Sequence, residues 1–503
     1  MNTISILLNE IIKMKIHNEP KDVLIIWDKN ESIPERLKKN NFFYVFWNGY
    51  EESFQEKHCF ILTKVKKNEF LYRKKYLNWV HSLNNIKKRN IALIDYFKIK
   101  KDFSFWSMSL FNEKCNFIKS PAINDCIKLI ALEELVKEIY IKKVIVYSPN
   151  KYLSHSIEDW CSKNNILYKS YHKKYKHINN TIFLNIYTFL KAIYWLSFYL
   201  FKRWFFCRKG VLKWKASDRK ITFISYLSNL NTEKLIKGHF ESNFWGDLPN
   251  KASLNEIRTN WLHIWDPDEQ LKNAKEVVNK LDQFNSKNNN QLHISLDSFL
   301  SLKVIKTSIL DWLSIIIKSI ILKSCFFENI REGFNLAIVQ NRDWYETFYG
   351  YNGIKNILYY NLLRNAFSHL KQQQSSFYLQ ENQGWEFGLI AAWRHHHKGL
   401  VCGVPHFSIR FWDLRYFFDK KYFCRNAKNL FIRPDKLMIN GKVQLKNMLE
   451  IGYPKNELIK VEALRYNYLL NEKIKINRTK TNKKFTILII GDYDNKLNQK
   501  FLN

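Results

Sequence analysis

The sequence predicts an α/β protein built on Rossmann-type parallel sheets, and three observations predict it. Short apolar runs ending in polar loops alternate with longer segments whose apolar residues step by three and four. Glycine (14) and proline (9) are scarce in 503 residues, which argues against a repetitive all-β chain and against long disordered linkers. The block from Ser375 to Pro405 reads strand, helix, strand, the unit from which parallel sheets are made.

The first strands are "DVLIIWD" (Asp22–Asp28), "FFYVFW" (Phe42–Trp47) and "KKVIVYS" (Lys142–Ser148), with a helix over Ile123–Ile139 between the last two. They define an N-terminal α/β subdomain over 1–175. An apolar, aromatic helical segment follows over 176–215, centred on "TIFLNIYTFLKAIYWLSFYLFKRWFF" (Thr181–Phe206). Its length nearly suffices to cross a bilayer. Lys191 at its centre is costly there. Its Trp and Tyr suit the headgroup layer. Spanning, buried and interfacial placements all fit the pattern, the interfacial one best. "LKVIKTSILDWLSIIIKSIILKSCFF" (Leu302–Phe327) is a second such helix, buried or interfacial.

A second α/β series occupies 216–470. Its predicted strands are Ile221–Leu227, Asn260–Trp265, Asn335–Gln340, Ser375–Gln380, Leu400–Pro405, Lys436–Asn440 and Leu458–Ala463, and Phe284–Gln291 reads as a solvated loop. The charged stretch 471–484 is a linker. "FTILIIGDYDN" (Phe485–Asn495) reads as a buried strand ending in Gly491 and Asp492. Over 485–503 it is expected to open a further α/β lobe that the chain barely begins; the alternative is an edge strand of the preceding sheet.

The formal charge of +35 invites a nucleic-acid reading, but no nucleic-acid-binding motif accompanies it. Anionic headgroups and sugar-nucleotide phosphates attract the same charge. Eight cysteines are scattered with no zinc spacing, and His395, His396 and His397 point about 100° apart on a helix, so no metal site is expected. No secretory signal is legible, and a reducing cytoplasm is the expected compartment.

The strand–helix–strand block sets the candidate chemistry. Ligands of open parallel sheets bind outside the carboxyl ends of strands. Glu381 follows one strand and His406 the next, so neighbouring strands bring them within roughly 5–10 Å. A helix from Asn382 to His397 is expected, with Gly399 as its C-cap. Glu386 points about 140° from Glu381 around that helix, either lining the cleft or as a surface acid. Arg410, Asp413 and Arg415 follow in "SIRFWDLRYF".

The block "ENQGWEFGLIAAWRHHHKGLVCGVPHFSIRFWDLRYFFD" resembles a family of bacterial surface-carbohydrate (O-antigen and capsule) biosynthesis proteins. "FSFWSMSLFNEKCNFIKSP", "FISYLSNL", "FWGDLP", "NWLHIW", "IGYPKNELIKVEALRY" and "ILIIGDY" extend the resemblance over nearly the whole chain. It implies GT-B-like glycosyltransferases, distantly similar to retaining transferases of Kdo and pseudaminic acid, with a CMP-activated donor, a lipid-linked or oligosaccharide acceptor, and a donor lobe largely missing here. Candidate catalytic residues for such a transfer are Glu381, His406, Glu113 and Asp247. Candidate substrate-binding residues are Glu386, Arg394, Arg410, Asp413, Arg415 and His263, and Asp492, with Gly491, matches the start of the donor lobe. No cofactor and no essential metal are expected, because a CMP-sugar carries a good leaving group. The protein is expected at the inner face of the cell membrane. The rival expectation is a non-catalytic membrane-surface protein of polysaccharide assembly.

Overall fold

Val23–Trp27 (β1), Phe42–Phe46 (β2), His58–Phe60 (β3), Lys143–Tyr147 (β4) and Leu167–Ser170 (β5) pair in parallel, in the order β3-β2-β1-β4-β5. Helices Glu69–Leu83 (α1), Ile123–Glu138 (α2) and Lys151–Lys163 (α3) accompany this sheet. The computed structural model describes residues 23–39, 41–51, 54–171, 181–328, 333–423 and 432–466, with positions 469, 488 and 490 beyond them. Met1–Arg465 cluster as one unit and Tyr466–Asn503 as another, most of which lies outside the described residues, including the predicted linker and the strand at Phe485–Asn495.

The second sheet is larger. Ile221–Tyr226 (β6), Thr259–Ile264 (β7), Gln291–Ser295 (β8), Ser375–Gln380 (β9), Leu400–Pro405 (β10), Lys436–Asn440 (β11) and Leu458–Val461 (β12) are all parallel, in the order β8-β7-β6-β9-β10-β11-β12. The chain steps outward from β6 to β8, then returns to the other side of β6 with β9. That reversal opens a crevice at the carboxyl ends of β6 and β9.

Five long helices complete the unit: Thr181–Arg203 (α4), Ala274–Lys287 (α5), Leu302–Phe327 (α6), Tyr351–Ser368 (α7) and Gly384–His396 (α8). α7 packs against α4, α6 and α8 together. It is therefore buried over most of its circumference, with Ile354, Ile357, Leu358, Leu362 and Phe367 in the core. One continuous core runs from Leu24 and Val144 of the first sheet to Ile224 of the second and Trp393 of α8. A boundary near 175 thus separates the sheets but not their packing.

The structure corrects four local expectations. Asn335–Gln340 is not a strand: Leu336–Val339 form one helical turn, N-capped by Asn335 Oδ1 accepting from Ala337 N–H at 3.1 Å. Phe284–Gln291 is not all loop. Its first four residues finish α5 around buried Phe284, and Gln291 opens β8. α8 starts at Gly384 rather than Asn382, because Asn382 sits in the left-handed region (φ +55°) and turns the chain. Gly399 is not a C-cap. α8 ends at His396, and His397 is already extended.

Gly399 instead lets two backbones meet. A Cβ there falls 2.4 Å from the carbonyl oxygens of both Gln373 and Gln374. Gly399→Ala is expected to destabilise the protein by about 1–3 kcal/mol through forced backbone shift, read as a lower urea midpoint at unchanged slope.

Candidate functional site at the sheet reversal

Three strand ends build the site. β6 ends in Tyr226, β9 is followed by Glu381, and β10 by His406. Gln380 pairs in register with Pro405, so Glu381 and His406 leave the sheet side by side. Glu381 Oε1 lies 3.4 Å from His406 Nε2. The sequence expectation of proximity is met.

The turn after β9 is held on all sides. Left-handed Asn382 accepts from Gln380 Nε2 at 2.8 Å through Oδ1 and donates its N–H to Glu386 at 2.8 Å. Gln383 Nε2 donates to Glu381 Oε2 at 2.7 Å and to the Tyr226 hydroxyl at 3.1 Å, bridging β9 to β6 across the reversal. Lys119 Nζ donates to Gln383 Oε1 at 3.5 Å. Tyr416 donates to the Gln380 carbonyl at 2.6 Å, bringing the 413–416 turn against the same strand end.

His406 is buried between aromatic rings. Phe244 and Phe407 stand edge-on to its imidazole at 4.7 and 4.8 Å. Burial, and then the charges of Arg465 and Arg415, push its pKa down to about 4. The ring is therefore neutral near pH 7, and its contact with Glu381 is a close polar approach rather than an ion pair. Its buried Nδ1 has no hydrogen-bond partner among the described residues.

The other predicted residues divide. Glu113 is buried, but both its oxygens are engaged: one with Lys119 at 2.5 Å, the other accepting Gly384 N–H at 3.0 Å at the start of α8. It positions the helix and Gln383 and does not face a reaction. Lys119 loses by burial and gains more from Glu113, so its pKa is raised. Glu386 neither lines the cleft nor lies on the surface. It is fully buried and reaches back to the N–H groups of Glu381 and Asn382, as an acid in a capping box does. Burial, then the charge of Glu381, raises its pKa.

Asp413 and Arg415 form a bidentate pair, both contacts at 2.9 Å, with Arg415 Nη1 3.6 Å from Glu381 Oε2. Arg415 is thus held by Asp413, beside Glu381. Arg410 is exposed. Asp247 is exposed, with its carboxylate tied to Asn250 and Lys251 of its own helix. Arg394 sits at the far end of α8, paired with Asp435 at 2.5 Å. His263 lies in the core of the second sheet, stacked on His293 with their ring nitrogens 2.9 Å apart. Neither Arg394 nor His263 reaches the site. Gly491 and Asp492 lie outside the described residues.

Sequence reasoning passed over Tyr226, Gln383, Lys119, Phe244 and Arg465. Tyr226 was findable, since it ends a predicted strand; the others depend on contacts remote in sequence. The first sheet has a polar edge too, but a closed one. Asp28 accepts from Asn48 at 2.6 Å and Ser148 at 2.5 Å, and Asp125 from Trp47 at 2.8 Å and Asn150 at 3.0 Å. Each of those four carboxylate oxygens is satisfied internally, whereas the second sheet's edge leaves a buried imidazole nitrogen unpartnered.

The fold and site define an α/β protein with acid, imidazole and amide groups gathered at the reversal point of a parallel sheet. Comparison with protein-family models, with curated proteins and with solved structures finds no match to this chain.

Glu113→Gln leaves Lys119 without its counter-charge beside a buried helix start. The expected cost is about 3 kcal/mol, at the low end for a buried pair because the lysine is partly exposed. Chemical denaturation measures it; a loss under about 1 kcal/mol would mean that the pair behaves as a surface pair.

Proposed function

We propose that this chain acts in a glycosyltransferase of bacterial surface polysaccharide (O-antigen or capsule) biosynthesis, with GT-B-like organisation. The donor is a CMP-activated 2-keto sugar acid, and the acceptor is a growing lipid-linked or oligosaccharide glycan at the inner face of the cell membrane. One observation carries the proposal: Glu381 lies 3.4 Å from neutral His406 where the second sheet reverses, and the buried imidazole Nδ1 has no hydrogen-bond partner among the described residues.

Glycosyl transfer needs a base for the acceptor hydroxyl and a cation for the departing phosphate. His406 Nδ1 takes the hydroxyl proton while Glu381 stabilises the imidazolium that forms. The acceptor oxygen bonds to the anomeric carbon, and CMP leaves with the electrons of the broken C–O bond. Arg465 and exposed Arg410 are the cations available on this side. Gly491 and Asp492 are proposed on the donor side by resemblance alone.

Two substitutions in the full chain test the assignment. Glu381→Gln and His406→Ala are each expected to slow transfer at least about 100-fold. Near-normal rates in both would remove the pair from the mechanism.

The pH profile gives a separate check. The base must be unprotonated, and its folded pKa is about 4. Transfer is therefore expected to hold down to about pH 5 and fall through about pH 4; an acid limb near 6.5, the ordinary histidine value, would contradict the burial argument. The same shift lowers stability as pH falls from about 6.5 to about 4, where the unfolded chain binds this proton and the folded chain does not.

Exposed apolar faces on α4 and α6 suit the second reading, a non-catalytic membrane-surface protein, equally well. Titration calorimetry with CMP separates them, since only a transferase is expected to bind it.

A further inference from the structure

Among the described residues no helix is long and apolar enough to cross a membrane. α4 and α6 nevertheless leave much of their apolar surface in water. Phe201 is 83% exposed, Tyr194 71%, Ile320 60% and Ile317 59%. Leu190 and Leu310 are exposed as well. Positions 190, 194 and 201, and 310, 317 and 320, recur at helical spacing, so each helix shows a stripe rather than scattered side chains. Phe189 of α4 stacks on Trp312 of α6 with ring centroids 5.0 Å apart, and both helices pack on α7. The opposite faces are firmly seated. Arg203 pairs with buried Asp297 at 3.2 Å and donates to the Trp265 carbonyl at 3.0 Å, and Trp312 donates to the Phe348 carbonyl at 2.9 Å.

The charge around these stripes identifies what covers them. From Thr181 to Ala216 the chain has no Asp or Glu. Lys191, Lys202, Arg208, Lys209, Lys213 and Lys215 of that stretch are all exposed. On α6, Lys303 and Lys306 are exposed, while its single acid, Asp311, is tied to Lys100 and Asn361. A second copy of this face would set like charges against one another, which disfavours self-association. A sheet of anionic phosphates over an apolar interior matches both features: cations meet headgroups while Phe, Tyr and Ile enter the acyl boundary.

We infer that α4 and α6 form a two-helix platform that docks the protein on an anionic lipid bilayer, lying in its surface. The inference gives physical form to the peripheral location proposed above and rests on that reading only for its biological setting. The platform is one helix layer from the candidate site. Tyr199 of α4 approaches Tyr359 of α7 at 6.3 Å, Tyr359 approaches Trp385 of α8 at 6.0 Å, and Trp385 approaches Tyr226 at 6.1 Å. A lipid-linked acceptor held by its anchor in the same leaflet would thus remain close to His406.

Vesicle flotation of the full chain tests this. Binding to phosphatidylcholine vesicles carrying roughly 30% phosphatidylglycerol is expected to exceed binding to phosphatidylcholine alone at least about tenfold. Phe201→Glu with Ile317→Glu is expected to lower it at least about tenfold, and Lys202→Glu with Lys209→Glu to abolish the preference for anionic lipid. The milder pair Tyr194→Ser with Ile320→Ser, read against an unchanged melting temperature, serves if the first pair perturbs folding. Equal binding to both vesicle types, no binding, or full binding by the apolar variants would overturn the inference. So would a dimer in analytical ultracentrifugation that Phe201→Glu dissociates. Transfer to a water-soluble acceptor is read in parallel: intact transfer without vesicle binding sinks the platform alone, and vesicle binding without transfer sinks the enzyme reading alone.

Discussion

The candidate site depends on one constraint: parallel strands that neighbour each other must all end at the same edge. β6, β9 and β10 obey it, and each return to the starting edge requires a crossover over one face of the sheet. The crossover between β9 and β10 is α8, whose first N–H is bound by Glu113. Helix placement and the site are therefore one problem. If α8 shifts along its axis, Gln383 loses Tyr226, Glu386 loses the N–H groups after β9, and Glu381 loses the geometry that orients His406. Close packing tightens this further, since a Cβ on Gly384 would stand 2.6 Å from the Met108 carbonyl oxygen.

Much of this was legible in the sequence. Strands such as "ITFISY" and "LVCGVP" are short, apolar and bounded, and their burial on both faces is the reason they read clearly. The pairing of Glu381 with His406 followed from strand order and spacing alone. What failed did so for physical reasons. "NLAIVQ" has the composition of a strand, but an Asn cap and the helix that follows it outweigh that preference. β8 hid because Gln291 and His293 interrupt its apolar run, although both are buried there and hydrogen-bonded to each other. His263 looked available because imidazoles often act on ligands. Its partner His293 lies thirty residues away on the next strand and engages its Nε2 inside the core, away from the strand ends.

Arginine was the least legible residue type. Arg394, Arg410 and Arg415 stood equal in the sequence as candidates to hold an anion. The fold assigns them different work: Arg394 ties α8 to Asp435, Arg415 is locked by Asp413, and Arg410 is left in water. A guanidinium already in a bidentate pair has few donors left for a phosphate. Arg465, which follows β12 and lies over Phe244, was invisible to local pattern, yet it acts on His406 more than Arg415 does.

The protein's strong positive charge finally divides into two populations with different physics. Near the site, cations are few and mostly neutralised, so the dominant influence on His406 is burial rather than charge. Along α4 and the turn after it, cations stand unopposed by any acid on the same stretch and flank exposed rings. Charge held in a folded network orients neighbours and is insensitive to salt; charge left in water beside apolar surface acts at a distance and is screened within about 10 Å at 0.1 M salt. A genome-wide lysine bias would scatter cations without regard to burial or neighbours. Cations are scarcely denser from Thr181 to Ala216 than in the chain as a whole; what departs from an even scatter is the absence of any Asp or Glu there, beside exposed rings.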